Sequence, residues 1–105
     1  MKKLDVIFRA DRKKNPEITA VFPSECGTDE YDMTCYAHIG QHGSCSRGWY
    51  NKTRAAKPTE YASLLRELQN IYAPEYELRV VRRMTRKHAA SRAAQMRGIE
   101  KGRAA

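Results

Sequence analysis

The sequence predicts an α+β domain: an antiparallel sheet of about four strands in the order β-β-β-α-β, one packed helix, and a basic C-terminal tail. Four runs alternate apolar and polar residues with the two-residue period of strands, and one run from Pro58 to Tyr72 carries an apolar stripe at helical spacing. The helix falls between the third and fourth strand runs, which is the pattern of a sheet with a helix laid on one face. With 105 residues the chain fits one domain, read as residues 1–84 followed by a tail, 85–105.

The first strand is Lys3 to Arg9, where Leu4, Val6 and Phe8 alternate with Asp5, Ile7 and Arg9. Polar residues 11–17, ending near Asn15-Pro16, form a connection, and the β-branched run Ile18 to Phe22 pairs back as a hairpin. Ser24 to Asp32 is rich in small polar residues and reads as a surface loop; its acids lack the regular spacing of a calcium loop. Met33 to Ile39 is the third strand, with Met33, Cys35, Ala37 and Ile39 facing the core and Thr34, Tyr36 and His38 facing away. Gly40 to Lys57 shows no sustained period and reads as a long loop, of the kind that is either functional or mobile.

The helix Pro58 to Tyr72 aligns Tyr61, Leu64, Leu65 and Leu68 on one side, with Pro58 suited to its first turn and Ala73-Pro74 to its end. Glu75 to Met84 supplies the fourth strand through Tyr76, Leu78 and Val80, until Val81 and the arginine pair break the register. From Thr85 onward the chain is Ala-rich and basic with Met96 and Ile99 as its large apolar residues, which predicts a frayed helix or a disordered tail.

Composition bounds the function. Hydrophobic residues make up 41% and charged residues 30%, ordinary for a folded protein. The apolar start is interrupted at Arg9 and Asp11, too early for a signal-peptide core or a transmembrane segment, so the chain reads as cytoplasmic. Three cysteines at irregular spacing agree, because small secreted domains usually carry an even disulfide set. Residues 1–78 hold eleven basic and eleven acidic side chains, whereas residues 79–105 hold nine basic ones against Glu100 alone. The net charge of +8 therefore sits in the last quarter, a distribution that attracts acidic macromolecules.

Met33 to Tyr50 concentrates the residues able to do chemistry. Cys35, His38, His42 and Cys45 make a Cys₂His₂ set of the type zinc prefers, with Cys26 in reserve. On a regular strand, however, Cys35 and His38 point to opposite faces, and packing as a small buried residue is the competing role for Cys35. A thiol-enzyme reading makes Cys45 the nucleophile, activated by His42 and Arg47. The binding reading takes His42, Arg47, Trp49, Tyr50, Lys52 and Arg54 in the loop, with Arg82, Arg83, Arg86, Lys87, Arg92 and Arg97 in the tail, as residue types that stack on bases, grip phosphates or form protein hot spots, the competing role for Trp49 and Tyr50 being to tuck the loop onto the domain.

The run Thr34 to His42 (TCYAHIGQH), the following Gly-Trp-Tyr and the helix Lys-Pro-Thr-Glu-Tyr-Ala-x-Leu-Leu-x-Glu-Leu resemble a group of short, functionally unassigned proteins of bacterial genomes and mobile elements, phages included. The resemblance spans about residues 4–84 and carries no catalytic residue. It implies a phage or mobile-element context, in which small proteins often bind a host or nucleic-acid target. The sequence thus points to a non-enzymatic module that binds an acidic partner, nucleic acid or host protein, without a cofactor. The alternative is a small zinc-binding protein or thiol enzyme built on residues 35–45.

Overall fold

The structure, a computed structural model, describes residues 2–37 and 41–104. Its elements in chain order are β1 (Lys2–Ala10), β2 (Ile18–Cys26), β3 (Met33–Ala37), β4 (Gln41–Cys45), α1 (Arg47–Lys52), β5 (Arg54–Ala55), α2 (Pro58–Tyr72), β6 (Tyr76–Val80) and α3 (Arg86–Ala104). The class is α+β, with more elements than the four strands and one helix that the sequence predicts.

The sheet runs β4-β3-β2-β1-β5, with antiparallel pairing along this path, and β6 also pairs with β1. Two short strands share the second edge of β1: β6 runs parallel along Lys2 to Val6, and β5 runs antiparallel at Arg9 and Ala10. Backbone bonds from Val81 to Val6 and from Ala56 to Phe8 continue the two pairings toward each other. The sheet is therefore mixed at this edge, because α2 returns the chain after β5 in the opposite direction.

The alternation of β1 places Leu4, Val6 and Phe8 on one face, where they meet Ala20, Phe22 and Tyr36 from β2 and β3. Leu64 and Leu68 of α2 close this core and are fully buried, while Leu65 and Tyr61 pack at its margin and Tyr61 stacks on Phe8 with ring centroids 4.3 Å apart. α2 begins where predicted: Pro58 occupies its first turn, and Glu60 accepts the Lys57 N–H at 2.9 Å, answering a donor that the helix leaves open.

The opposite face is also covered, which the expected single-helix arrangement does not provide. Ile7, Val21, Met33, Cys45 and Tyr50 form a second core, flanked by Cys35, Trp49, Val81 and Met84. Tyr36 accordingly belongs to the α2 core, and the expected outward face of β3 is buried. Position 39, expected to end that strand, lies outside the described residues, as does His38.

Two further segments differ from expectation for identifiable reasons. Residues 40–57 contain β4, α1 and β5 where a loop is predicted; β4 has Cys45 as its one apolar residue and so shows no alternation, and α1 and β5 are too short to print a period on the sequence. α1 is six residues long and held at both ends, by Ser46 Oγ accepting from the Trp49 N–H at 3.1 Å and by the Thr53 N–H donating to the Tyr50 carbonyl at 3.0 Å. The predicted loop 24–32 gives up Ser24, Glu25 and Cys26 to β2, which bulges as the β2–β3 register shifts between Phe22 and Cys26.

The segment expected as frayed or disordered is the helix α3, whose first half docks on that bulge. Arg92 donates to the Pro23 carbonyl at 2.5 Å and to the Glu30 carbonyl at 3.0 Å, Ser91 Oγ donates to the Ser24 carbonyl at 3.1 Å, and Gln95 Oε1 accepts from the Cys26 N–H at 2.6 Å. Backbone groups without a ladder partner are thus satisfied by α3 side chains. His88 adds a bond to Asp5 Oδ2 at 2.7 Å, and Arg79 of β6 reaches the other oxygen of that carboxylate at 2.6 Å. No helix among the described residues is long and apolar enough to cross a membrane.

Candidate functional site

The β5 end of β1, the helix α1 and the link between β6 and α3 converge on one cleft of about 640 Å³. Arg9, Arg47, Arg82 and Arg83 line it together with Tyr50, Ala55 and Met84. Among the described residues, four guanidiniums and no carboxylate line this space.

Each arginine arrives by a different route. Arg9 is the penultimate residue of β1; its Nε donates to Thr53 Oγ1 at 2.8 Å and its Nη2 to the Thr53 carbonyl at 2.7 Å, which lays the guanidinium 4.3 Å from the Tyr50 ring centroid. That geometry is a cation–π contact on a buried ring. Thr53, itself buried, is fixed in turn by donating its hydroxyl to the Tyr50 carbonyl at 2.6 Å. Arg47 opens α1 and stands 6.0 Å from the same ring, with a long 3.4 Å bond to Asn51. Arg82 and Arg83 follow β6 and are exposed.

Among the described residues no ion pair engages Arg47, Arg82 or Arg83, whereas Arg54 and Arg79 are each bound to a carboxylate. Arg54 grips Glu60 with two bonds of 2.8 and 2.7 Å, and this grip, helped by the Lys57 N–H, holds the pKa of the Glu60 carboxyl down to about 2. Positive charge is thus neutralised at some positions and left open at the cleft. At Arg82 and Arg83 an anion with several oxygens would find forked donors without having to displace a partner, beside the Arg9 guanidinium already fixed by Thr53.

The structure distributes the other predicted residues widely. Tyr50 forms the cleft wall, and Trp49 turns to the opposite side of α1. Lys52 is exposed in the last turn of α1; Arg86 and Lys87 are exposed in the first turn of α3, and Arg97 is exposed farther along it. Arg92 is not available to a partner: it is 7% exposed, its donors serve backbone carbonyls, and burial followed by the nearby charge of Arg47 lowers its pKa. His42 pairs with Tyr36 in register and sits over the α2 side of the sheet, its Nε2 2.8 Å from the Tyr72 hydroxyl.

That placement of His42 separates it from the cysteines. Cys35 and Cys45 line a groove on the other face of β3 and β4, so Cys35, His42 and Cys45 do not converge on a shared ion, and no group of three His, Cys, Asp or Glu side chains suited to a metal occurs among the described residues. His38, the fourth candidate, lies outside the described residues. Cys45 is buried, and the neighbouring Cys35 thiol, its burial and the charge of Asp32 raise its thiol pKa, the reverse of what activation by His42 and Arg47 requires.

Sequence reading missed Arg9, which looks like one polar position in an alternating strand. Its only local mark is a large cation at the end of an otherwise apolar run; the residues it meets in the cleft come from α1 and from the far side of α2 in the chain. No family model, curated protein or solved structure matches the chain.

Proposed function

We propose that this chain is a non-enzymatic binding module that engages nucleic acid through the phosphates seated in the Arg9–Arg47–Arg82–Arg83 cleft. The observation that carries this reading is the convergence of four guanidiniums on one space lined by no carboxylate among the described residues. Planar forked donors match phosphate oxygens, and the lining residues bring charge without a histidine, cysteine or acid to perform a transfer. Arg86, Lys87 and Arg97 on α3 add attraction at longer range, in a cytoplasmic setting of the phage or mobile-element kind.

The test is fluorescence anisotropy with labelled single-stranded and duplex oligonucleotides across a salt series. Affinity is expected to fall steeply with salt, and the combined Arg82→Ala and Arg83→Ala substitution should reduce the slope of log affinity against log salt by roughly 0.7–0.9 for each phosphate no longer neutralised. Binding that ignores salt, or that ignores this substitution, would overturn the reading. Tighter capture of a polyglutamate peptide than of any oligonucleotide would replace nucleic acid by an acidic protein as the partner. Substitution is the proper probe here, since deleting residues 85–105 would also remove the bonds that Arg92 and Gln95 make to β2.

A further inference from the structure

The edge of β1 that β5 and β6 share holds a second space beside the arginine cleft. β6 runs parallel to Lys2–Val6 and β5 antiparallel to Arg9 and Ala10, so the two short strands approach each other along one edge. The Val81 N–H donates to the Val6 carbonyl at 2.9 Å and the Ala56 N–H to the Phe8 carbonyl at 3.0 Å, which carries the two pairings up to residues 6 and 8. Where they meet there is a groove of about 310 Å³, walled by Ala56, Pro58, Tyr61, Val80 and Val81. Ala55 and Arg82 line both this groove and the cleft, so the two spaces adjoin.

The two spaces differ in chemistry. Four guanidiniums line the cleft, whereas Arg82 is the one charged residue lining the groove among the described residues, and the others are apolar or aromatic. The groove is open to a ligand: Val80, at the end of β6, is 39% exposed. Tyr61 is half-buried and held in a stacked pair with Phe8, ring centroids 4.3 Å apart. An aromatic side chain held in place beside a basic groove is the combination on which bases stack while their phosphates are gripped. An aliphatic occupant would leave the adjoining cations unmet, and a bare anion would leave the groove unfilled. The volume lies at the small end of the roughly 300–1,000 Å³ of small-molecule pockets, which suits one planar base.

We propose that the groove receives one unpaired base of a single-stranded nucleic acid whose phosphate lies in the arginine cleft, so that the protein selects single strands over duplex. The inference rests on the phosphate reading of the cleft and deepens it. Arg82, shared by both spaces, stands where phosphate and base meet. A base within a duplex would have to leave its pair and its stack before it could enter.

The experiment measures anisotropy on the full-length protein with three labelled probes at one salt concentration: a single-stranded oligothymidylate, an abasic strand of the same length and charge, and the duplex of oligothymidylate with oligoadenylate. The base-containing single strand should bind about tenfold tighter than the abasic strand, within the range that stacking on an aromatic side chain gives, and tighter than the duplex. Tyr61→Leu should bring it to the affinity of the abasic strand with the salt slope unchanged, and Tyr61→Phe should keep the preference. If the leucine variant does not fold, the ranking of the three probes on the wild type decides the matter. Equal, salt-dependent affinity for base-containing and abasic strands would overturn this inference and leave the phosphate reading standing. A duplex that binds as tightly as the single strand would do the same, as would a base preference that survives Tyr61→Leu. Failure of every probe to bind would remove both readings.

Discussion

Two helices, α2 and α3, pack on opposite faces of the sheet by opposite means, α3 beside the second apolar core that α1 helps to close. α2 lays fully buried leucines on Leu4, Val6, Phe8 and Phe22, while α3 reaches the other side through Arg92, Gln95, Ser91 and His88, which bond to carbonyls, an N–H and a carboxylate. Apolar burial tolerates small shifts and scales with area, whereas a polar dock depends on particular atoms being in place. The first kind of contact fixes the fold, and the second fixes where one basic helix lies.

The largest effect should come from the apolar side. Leu68→Ala removes a fully buried side chain and leaves a cavity, with an expected loss of about 2–5 kcal/mol in urea unfolding. Leu65→Ala, at the margin of the same core, should cost less. Equal losses at the two positions would mean that α2 is seated differently on the sheet.

Arg92→Ala comes next. It strips donors from the Pro23 and Glu30 carbonyls, and leaving buried acceptors unpaired costs about 1–3 kcal/mol each. An overall loss of about 2–3 kcal/mol, with faster amide exchange along α3 than along α2, is the expected result. A silent substitution would show that α3 holds its place without this guanidinium.

This contrast also explains what was legible in the sequence. α2 was readable to its ends because the leucine stripe, Pro58 and Ala73-Pro74 are local signals. The strands β1, β2, β3 and β6 were readable through alternation. The docking of α3 was not, since Arg92 and Gln95 answer backbone groups freed by a bulge far earlier in the chain, and nothing near them in sequence records that need. Of the candidate site, Arg47, Tyr50, Arg82 and Arg83 were named from residue type and charge density, but that they share one space with Arg9 follows only from β5 and β6 meeting the same edge of β1.

Asp5 joins the two kinds of region, since its carboxylate binds Arg79 on β6 and His88 on α3. The bond from Arg79, then that from His88, lowers its pKa against the opposing effect of burial. A carboxyl whose pKa is depressed on folding adds stability above its unfolded value, and that stability disappears as pH falls through the folded value. Asp5→Asn should therefore cost about 1–2 kcal/mol at neutral pH, with the gap to wild type closing as the pH is lowered through the carboxylate range. A gap that stays constant down to strong acid would show that the charge of Asp5 is not what ties β6 to α3.

The smallest effect on stability should come from the cleft, and its smallness is the point. Arg82 and Arg83 are exposed and have no ion-pair partner among the described residues, so replacing both by alanine should change unfolding free energy by no more than about 0.5 kcal/mol. It could even stabilise slightly, because like charges around one cleft repel one another. Paired with the loss at Arg92, this measurement separates arginines that hold the fold from arginines held ready for a ligand. A loss as large as that of Arg92→Ala would place Arg82 and Arg83 among the groups that hold the fold and remove the physical basis for an open anion site.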